Sequence, residues 1–216
     1  MMIVKPDNLD NPDMAMAVKN KIIELYSNEK DLLEGFIRNY LNEQPDIISG
    51  WFSNGYDLPY IMNKMKQYDI FDNFTLIKNV KPNIYSYRKH DGRIVNKMKL
   101  PGTHLVDYLD IFKKYYLGNP SSWKLDTIAT IYGLQGKTED KGFMNYRTNF
   151  TKFVEYIFRD VELLKQLEEK TSFLKLITDL RKIIPIPFNN LFFNSLSIMA
   201  YLSLTHFKDN TLFPSI

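Results

Sequence analysis

The chain contains no cysteine. That excludes a disulfide scaffold and any zinc site built on thiolates, and it fits a reducing compartment. Histidine is almost as scarce. His90, His104 and His206 are scattered without metal-ligand spacing, so each reads as an ordinary surface or core side chain. No uncharged apolar run reaches the roughly 18 residues that a membrane-spanning helix needs. The opening stretch, Met1 to Asp13, has neither a basic region nor an apolar one, so it does not read as a secretory signal. Neither sign of charge dominates. Lys and Arg number 28 against 25 Asp and Glu, and the net charge of +3 permits a nucleic-acid partner without requiring one. No repeat or low-complexity tract occurs, and Gly133-x-x-Gly136-Lys137 lacks the rest of a phosphate-binding loop, so it reads as a turn. These absences predict a soluble cytoplasmic chain with no membrane partner.

What is present is core material. Of 216 residues, 44% are hydrophobic and 14% aromatic, enough to fold one domain or one domain with a fragment of another. Residues 1–21 read as a lead-in. Ile22 to Leu25 predict a short strand. Asn28 with Asp31 resembles a capping box, and Leu32, Leu33, Phe36, Ile37, Tyr40 and Leu41 follow at helical period until Pro45. Ile47 to Trp51 predict a buried strand, Ser53-Asn54-Gly55 a turn, and 58–67 a helix. Residues 84–100 predict a β-hairpin with Asp91-Gly92 at its turn. A strand at 103–107, a helix at 109–117 and a helix at 123–132 capped by Ser122 come next. A long helix is expected from Phe150 to about Lys182, ended by Pro185 and Pro187, and a last one from Leu191 to Phe207. Strands alternating with helices predict an α/β class.

Two constellations carry candidate chemistry. In the first, a strand ending in Gly50-Trp51 leads through a turn to Tyr56-Asp57-Leu58-Pro59. An acid just past a buried strand suits a metal-binding carboxylate; equally, Asp57 can simply cap the next helix, with Pro59 in its first turn. In the second, Tyr156-x-x-x-Asp160 puts a phenol and a carboxylate on one helical face, beside the apolar stripe of Phe153, Ile157 and Val161. That pair can hold a metal and orient a water, or, with Glu155, Arg159 and Glu162 nearby, form a solvated face.

Taken in series, these stretches resemble the family B DNA polymerases, most closely the T-even phage type. Ser49-Gly50-Trp51 through Tyr56-Asp57-Leu58-Pro59-Tyr60-Ile61 resembles the second exonuclease motif of that family. Leu105 to Tyr115, Pro120 to Asp126 and Gly136-Lys137 follow in the family's order. Tyr156-Ile157-Phe158-Arg159-Asp160 is similar to its third exonuclease motif, and Ile184 to Pro187 with Phe192 to Leu196 resemble the stretch leading toward the palm. The resemblance runs collinearly over about residues 22–214.

It implies a ribonuclease-H-like fold for residues 22–182, lacking its first motif, and a helical connection toward the palm for 183–216. It implies a segment of a replicative polymerase carrying part of a 3′→5′ proofreading exonuclease. Such a domain hydrolyses the terminal phosphodiester of a single-stranded primer 3′ end with two cations, Mg2+ or Mn2+. Asp57 and Asp160 would be the metal ligands, Tyr156 would hold the attacking water, and Phe52, Asn54 and Tyr56 would meet the DNA. The resemblance assigns Asp107 to scaffold, as the cap of the helix after it, and gives the 84–100 hairpin a part in separating primer from template. Two departures stand out. The family's Asp-x-Glu strand is expected upstream of residue 22, and no such triplet occurs there. The family also usually has Asn where this chain has Phe52. The site would then need other polymerase segments; the alternative is a catalytically inactive DNA-binding or polymerase-interaction module derived from the same domain.

Overall fold

A computed structural model describes residues 2–4, 23–88, 92, 94–136, 142–184, 188 and 194–208. Two short parallel pairs and one hairpin make up its strands. β1 (Met2–Val4) pairs in parallel with β2 (Glu24–Tyr26). The first long helix, α1 (Glu29–Glu43), begins at Asn28, whose side chain accepts from the Asp31 amide, and ends on Gln44 in the left-handed region ahead of Pro45. The short strand expected at 22–25 covers 24–26 instead, and Ile22 lies outside the described residues.

β3 (Ile47–Gly50) and β6 (His104–Asp107) form the central parallel ribbon, with Ile47 opposite His104 and Gly50 opposite Asp107. Successive strand residues point to opposite faces, and here each face meets its own core. Val106 points into a cluster with Tyr108, Ile111, Phe112, Ile128, Leu163, Leu167 and Ile177, against which Ile47 packs. Leu105 points into the other, with Leu33, Ile37, Tyr40, Met62, Met65 and Phe74, against which Ile48 packs. The first core is roofed by α3 (Tyr108–Tyr115), α4 (Leu125–Ile131), α5 (Phe150–Thr171) and α6 (Phe173–Ile183), the second by α1 and α2 (Asp57–Gln67). A third, smaller cluster joins Ile3, Ile23 and Leu25 to Phe150, Phe153 and Val154 at the start of α5.

β4 (Asn83–Arg88) and β5 (Ile94–Lys99) form the expected hairpin, paired antiparallel from Asn83 opposite Lys99 to Arg88 opposite Ile94. Its base, Ile84 and Met98, packs on the second core, while Arg88 and Ile94 at the far end are exposed. Gly92 has φ +83°, a value that favours glycine, whereas Asp91 lies outside the described residues. A last helix, α7, runs from Asn194 to Lys208.

Three expectations need correction. Residues 150–182 do not make one helix: Ser172, at φ +52°, divides α5 from α6. The Glu168 carboxylate accepts from the Leu174 and Lys175 amides, so the preceding helix supplies the cap that Ser172 does not. Helix α4 starts later than expected, with Lys124 at its N-cap. Ser122 instead accepts from the Lys124 amide, one turn before the helix. Val161 does not belong to a core stripe. It is 65% exposed, and the inward face of α5 runs through Phe153, Ile157, Asp160, Leu163 and Leu167.

Candidate active site

Asp57, Asp107, Asp126 and Asp160 all lie around the place where the parallel ribbon ends. β3 finishes at Gly50 and β6 at Asp107, neighbours across the ladder. The carboxyl ends of parallel strands are where α/β folds place ligands, because the connecting loops open there. From Gly50 the chain turns through residues 51–56 into α2. Phe52 sits in the left-handed region, at φ +60°, and its ring lies over Gly55, where any side chain would collide with it. Phe52 and Tyr56 are 54% and 68% exposed.

The turn is anchored from β6. Asp107 is 4% exposed, and its Oδ1 accepts from the Phe52 and Leu109 amides while Oδ2 accepts from the Asn54 amide, all at 3.0 Å. It caps α3 as the sequence implies. Burial pushes its carboxyl above the usual value, and the charge of Asp110 adds to this, while the three amide bonds pull the other way. On the far side the turn locks into α2, with the Leu58 amide donating to Ser53 O at 2.9 Å. The N-cap of α2 is Tyr56, without a side-chain bond, and Asp57 stands in the helix's first turn. Asp57 is exposed as a residue, yet enough protein surrounds its carboxyl to raise its pKa by desolvation.

Opposite lies α5. Asp160 occupies an inward position where a leucine would be the ordinary choice, and this break in the apolar pattern is the signal that its flanking charges obscured. Asp57 from α2 and Asp160 from α5 line one cavity of about 860 Å³, with Ser49, Gly50, Trp51, Phe52, Trp123 and Lys124. Asp126, at the start of α4, lines it too, and nothing in the local sequence singles it out. Three carboxylates against one ammonium make an acidic opening, which repels a phosphodiester unless a cation intervenes. Ser49 Oγ is buried there without a hydrogen-bond partner among the described residues. Asn54, Tyr56 and Tyr156 do not line the cavity; Tyr156 stands one turn before Asp160 on α5, half-buried. The walls are built by packing. The Trp51 indole donates to Trp123 O at 3.1 Å, and its ring meets Tyr108 and Phe112.

Comparison with known proteins gives a consistent result. Residues 2–128 match a family model described as DNA polymerase family B, exonuclease domain. A DNA-directed DNA polymerase of Enterobacteria phage T4 is 26% identical over 194 residues, which cover 87% of this chain and 21% of that protein. The DNA-directed DNA polymerase of Escherichia phage RB69 is 29% identical over 171 residues, 74% of this chain and 18% of that one. The DNA polymerase catalytic subunit of human herpesvirus 6A is 33% identical over 137 residues, 60% of this chain and 13% of its own. The chain thus spans about a fifth of the length of its phage relatives.

Proposed function

The chain belongs to the exonuclease-domain family of the family B DNA polymerases, and on that premise we propose that it carries part of a 3′→5′ proofreading exonuclease acting on a single-stranded primer end. One observation carries the reading. Asp57 and Asp160, about a hundred residues apart in the chain, line the same cavity at the end of the central ribbon. In this reading residues 22–182 are a ribonuclease-H-like exonuclease domain and 183–216 a helical link toward a palm.

The donor chemistry of the cavity fits a divalent cation in kind, since Mg2+ and Mn2+ prefer carboxylate oxygens. It does not fit in number: among the described residues no three His, Cys, Asp or Glu stand together closely enough to hold a metal. Asp57 and Asp160 would be ligands that leave coordination sites for water and for the DNA phosphate. A bound cation would polarise the phosphodiester and acidify a water. Asp160 is carried on α5, whose flanking residues Leu163 and Leu164 pack in the first core. Tyr156 would orient the attacking water, and the exposed rings of Phe52 and Tyr56 suit stacking against unpaired bases.

The family pattern adds two acids on an Asp-x-Glu strand, and no such triplet stands before residue 22. Little Mg2+-dependent exonuclease activity is therefore expected from the 216-residue chain, with a gain when a polypeptide bearing that strand is added. The assay is stepwise shortening of 5′-labelled single-stranded DNA from its 3′ end. Asp57→Ala and Asp160→Ala should each abolish the restored activity. Brisk degradation by the chain alone, indifferent to both substitutions, would overturn the reading.

A further inference from the structure

Asp107 caps α3, but that accounts for only one of its three hydrogen bonds. The other two reach across to the turn after β3, at Phe52 and Asn54. This turn has reasons to need an external brace. Phe52 holds a left-handed backbone, at φ +60°, that a phenylalanine adopts only at a cost. The turn folds back so tightly that a side chain on Gly50 would press against Ser53. Helix α2 receives no side-chain cap at its start, so its entry depends on the backbone of residues 52–56, tied by Tyr56 N to Phe52 O and Leu58 N to Ser53 O. Asp57 is the first residue of that helix.

We infer that Asp107 is a positioning residue: by gripping the Phe52 and Asn54 amides, its carboxylate sets where the turn delivers Asp57 to the cavity. The inference rests on the role proposed above for Asp57. The division of labour between the two oxygens gives it a selective probe. Oδ1 serves Phe52 and Leu109, and Oδ2 serves Asn54 alone. In Asp107→Asn the amide oxygen can keep the first two bonds, since Asn is as good a helix cap as Asp, while the new NH2 group faces the Asn54 N–H and cannot accept from it.

The test compares wild type with Asp107→Asn by NMR in the full chain, with Asp107→Ala as a second variant. In Asp107→Asn the Asn54 amide should exchange about tenfold faster while the Leu109 amide keeps its protection. The Asp57 and Leu58 resonances should move. With the Asp-x-Glu polypeptide added, kcat should fall by roughly tenfold or more with KM little changed, because a displaced carboxylate harms the reacting geometry more than binding. Unchanged exchange at Asn54, unmoved Asp57 and Leu58 resonances, or an unaltered kcat in an active preparation would each overturn the inference. Absence of exonuclease activity in the wild type even with that polypeptide added would sink the proposed function alone, and the exchange and resonance measurements would still decide the role of Asp107.

Discussion

The two faces of the β3–β6 ribbon are built differently. On one, Phe112 touches the rings of Trp51, Tyr116, Trp123, Tyr132 and Phe173, an aromatic cluster whose outer members form the cavity wall. On the other, among the described residues, Phe74 meets the rings of Phe36 and Tyr40, amid methionines and aliphatic side chains. The aromatic face ties packing to the site, because the rings that fill the core also shape the opening. The aliphatic face supports α2, which brings Asp57 to the site. A cavity at the seam of two cores takes its carboxylates from both and inherits the tolerance of each.

The largest effect should come from breaking this asymmetry directly. Phe112→Ala is expected to cost about 4 kcal/mol and Phe74→Ala about 3 kcal/mol, read by urea denaturation. Only the first should disturb Trp51 and Trp123 fluorescence near the cavity. Equal costs with equal fluorescence changes would abolish the distinction.

Next in size are the buried hydroxyls, one on each face. Tyr108 donates to Glu168 at 2.7 Å and lies 2.7 Å from the Thr171 hydroxyl, and burial pushes its own hydroxyl well above the usual range, so it stays a donor. Tyr40 meets Thr103 at 2.8 Å. Because Glu168 also caps α6, Tyr108→Phe should cost about 2 kcal/mol and Tyr40→Phe about 1 kcal/mol. The reverse order would show that the aliphatic face carries the more demanding polar contact.

A smaller effect concerns Asp57. Its raised pKa means that the folded protein binds the proton more tightly than the unfolded chain does. Ionisation therefore costs stability, fully so above the raised value. Asp57→Asn should melt at the same or a higher temperature than wild type at neutral pH. The difference should vanish below the ordinary aspartate value of about 3.9, where both side chains are neutral. A lower melting temperature at neutral pH would mean that the carboxylate contributes to the fold. The smallest effect is expected at the solvent face of α6, where Lys175 and Lys182 hold Asp179 down to about 2. Asp179→Asn should leave the melting temperature unchanged near neutrality, since such exposed pairs are screened.

The amino-acid sequence by itself determined most of the elements and the family. Period, caps and turn residues are local, so Asn28 starting α1, the 84–100 hairpin and the Asp107 cap were all legible in it. The order of the short motifs carried the family resemblance without any geometry. Tertiary structure decided what depends on partners distant in the chain. Ser172 breaks the long helix because Glu168 caps the next one, and the periodicity of 150–182 shows no interruption there. Val161 reads as a stripe residue, and only packing turns it outward and gives the inward place to Asp160. Asp126 joins Asp57 and Asp160 at one cavity, and Asp107 grips a turn more than fifty residues before it, because two strands happen to lie side by side. A carboxylate's neighbours are set by which strand ends meet, and no spacing within a single segment encodes that.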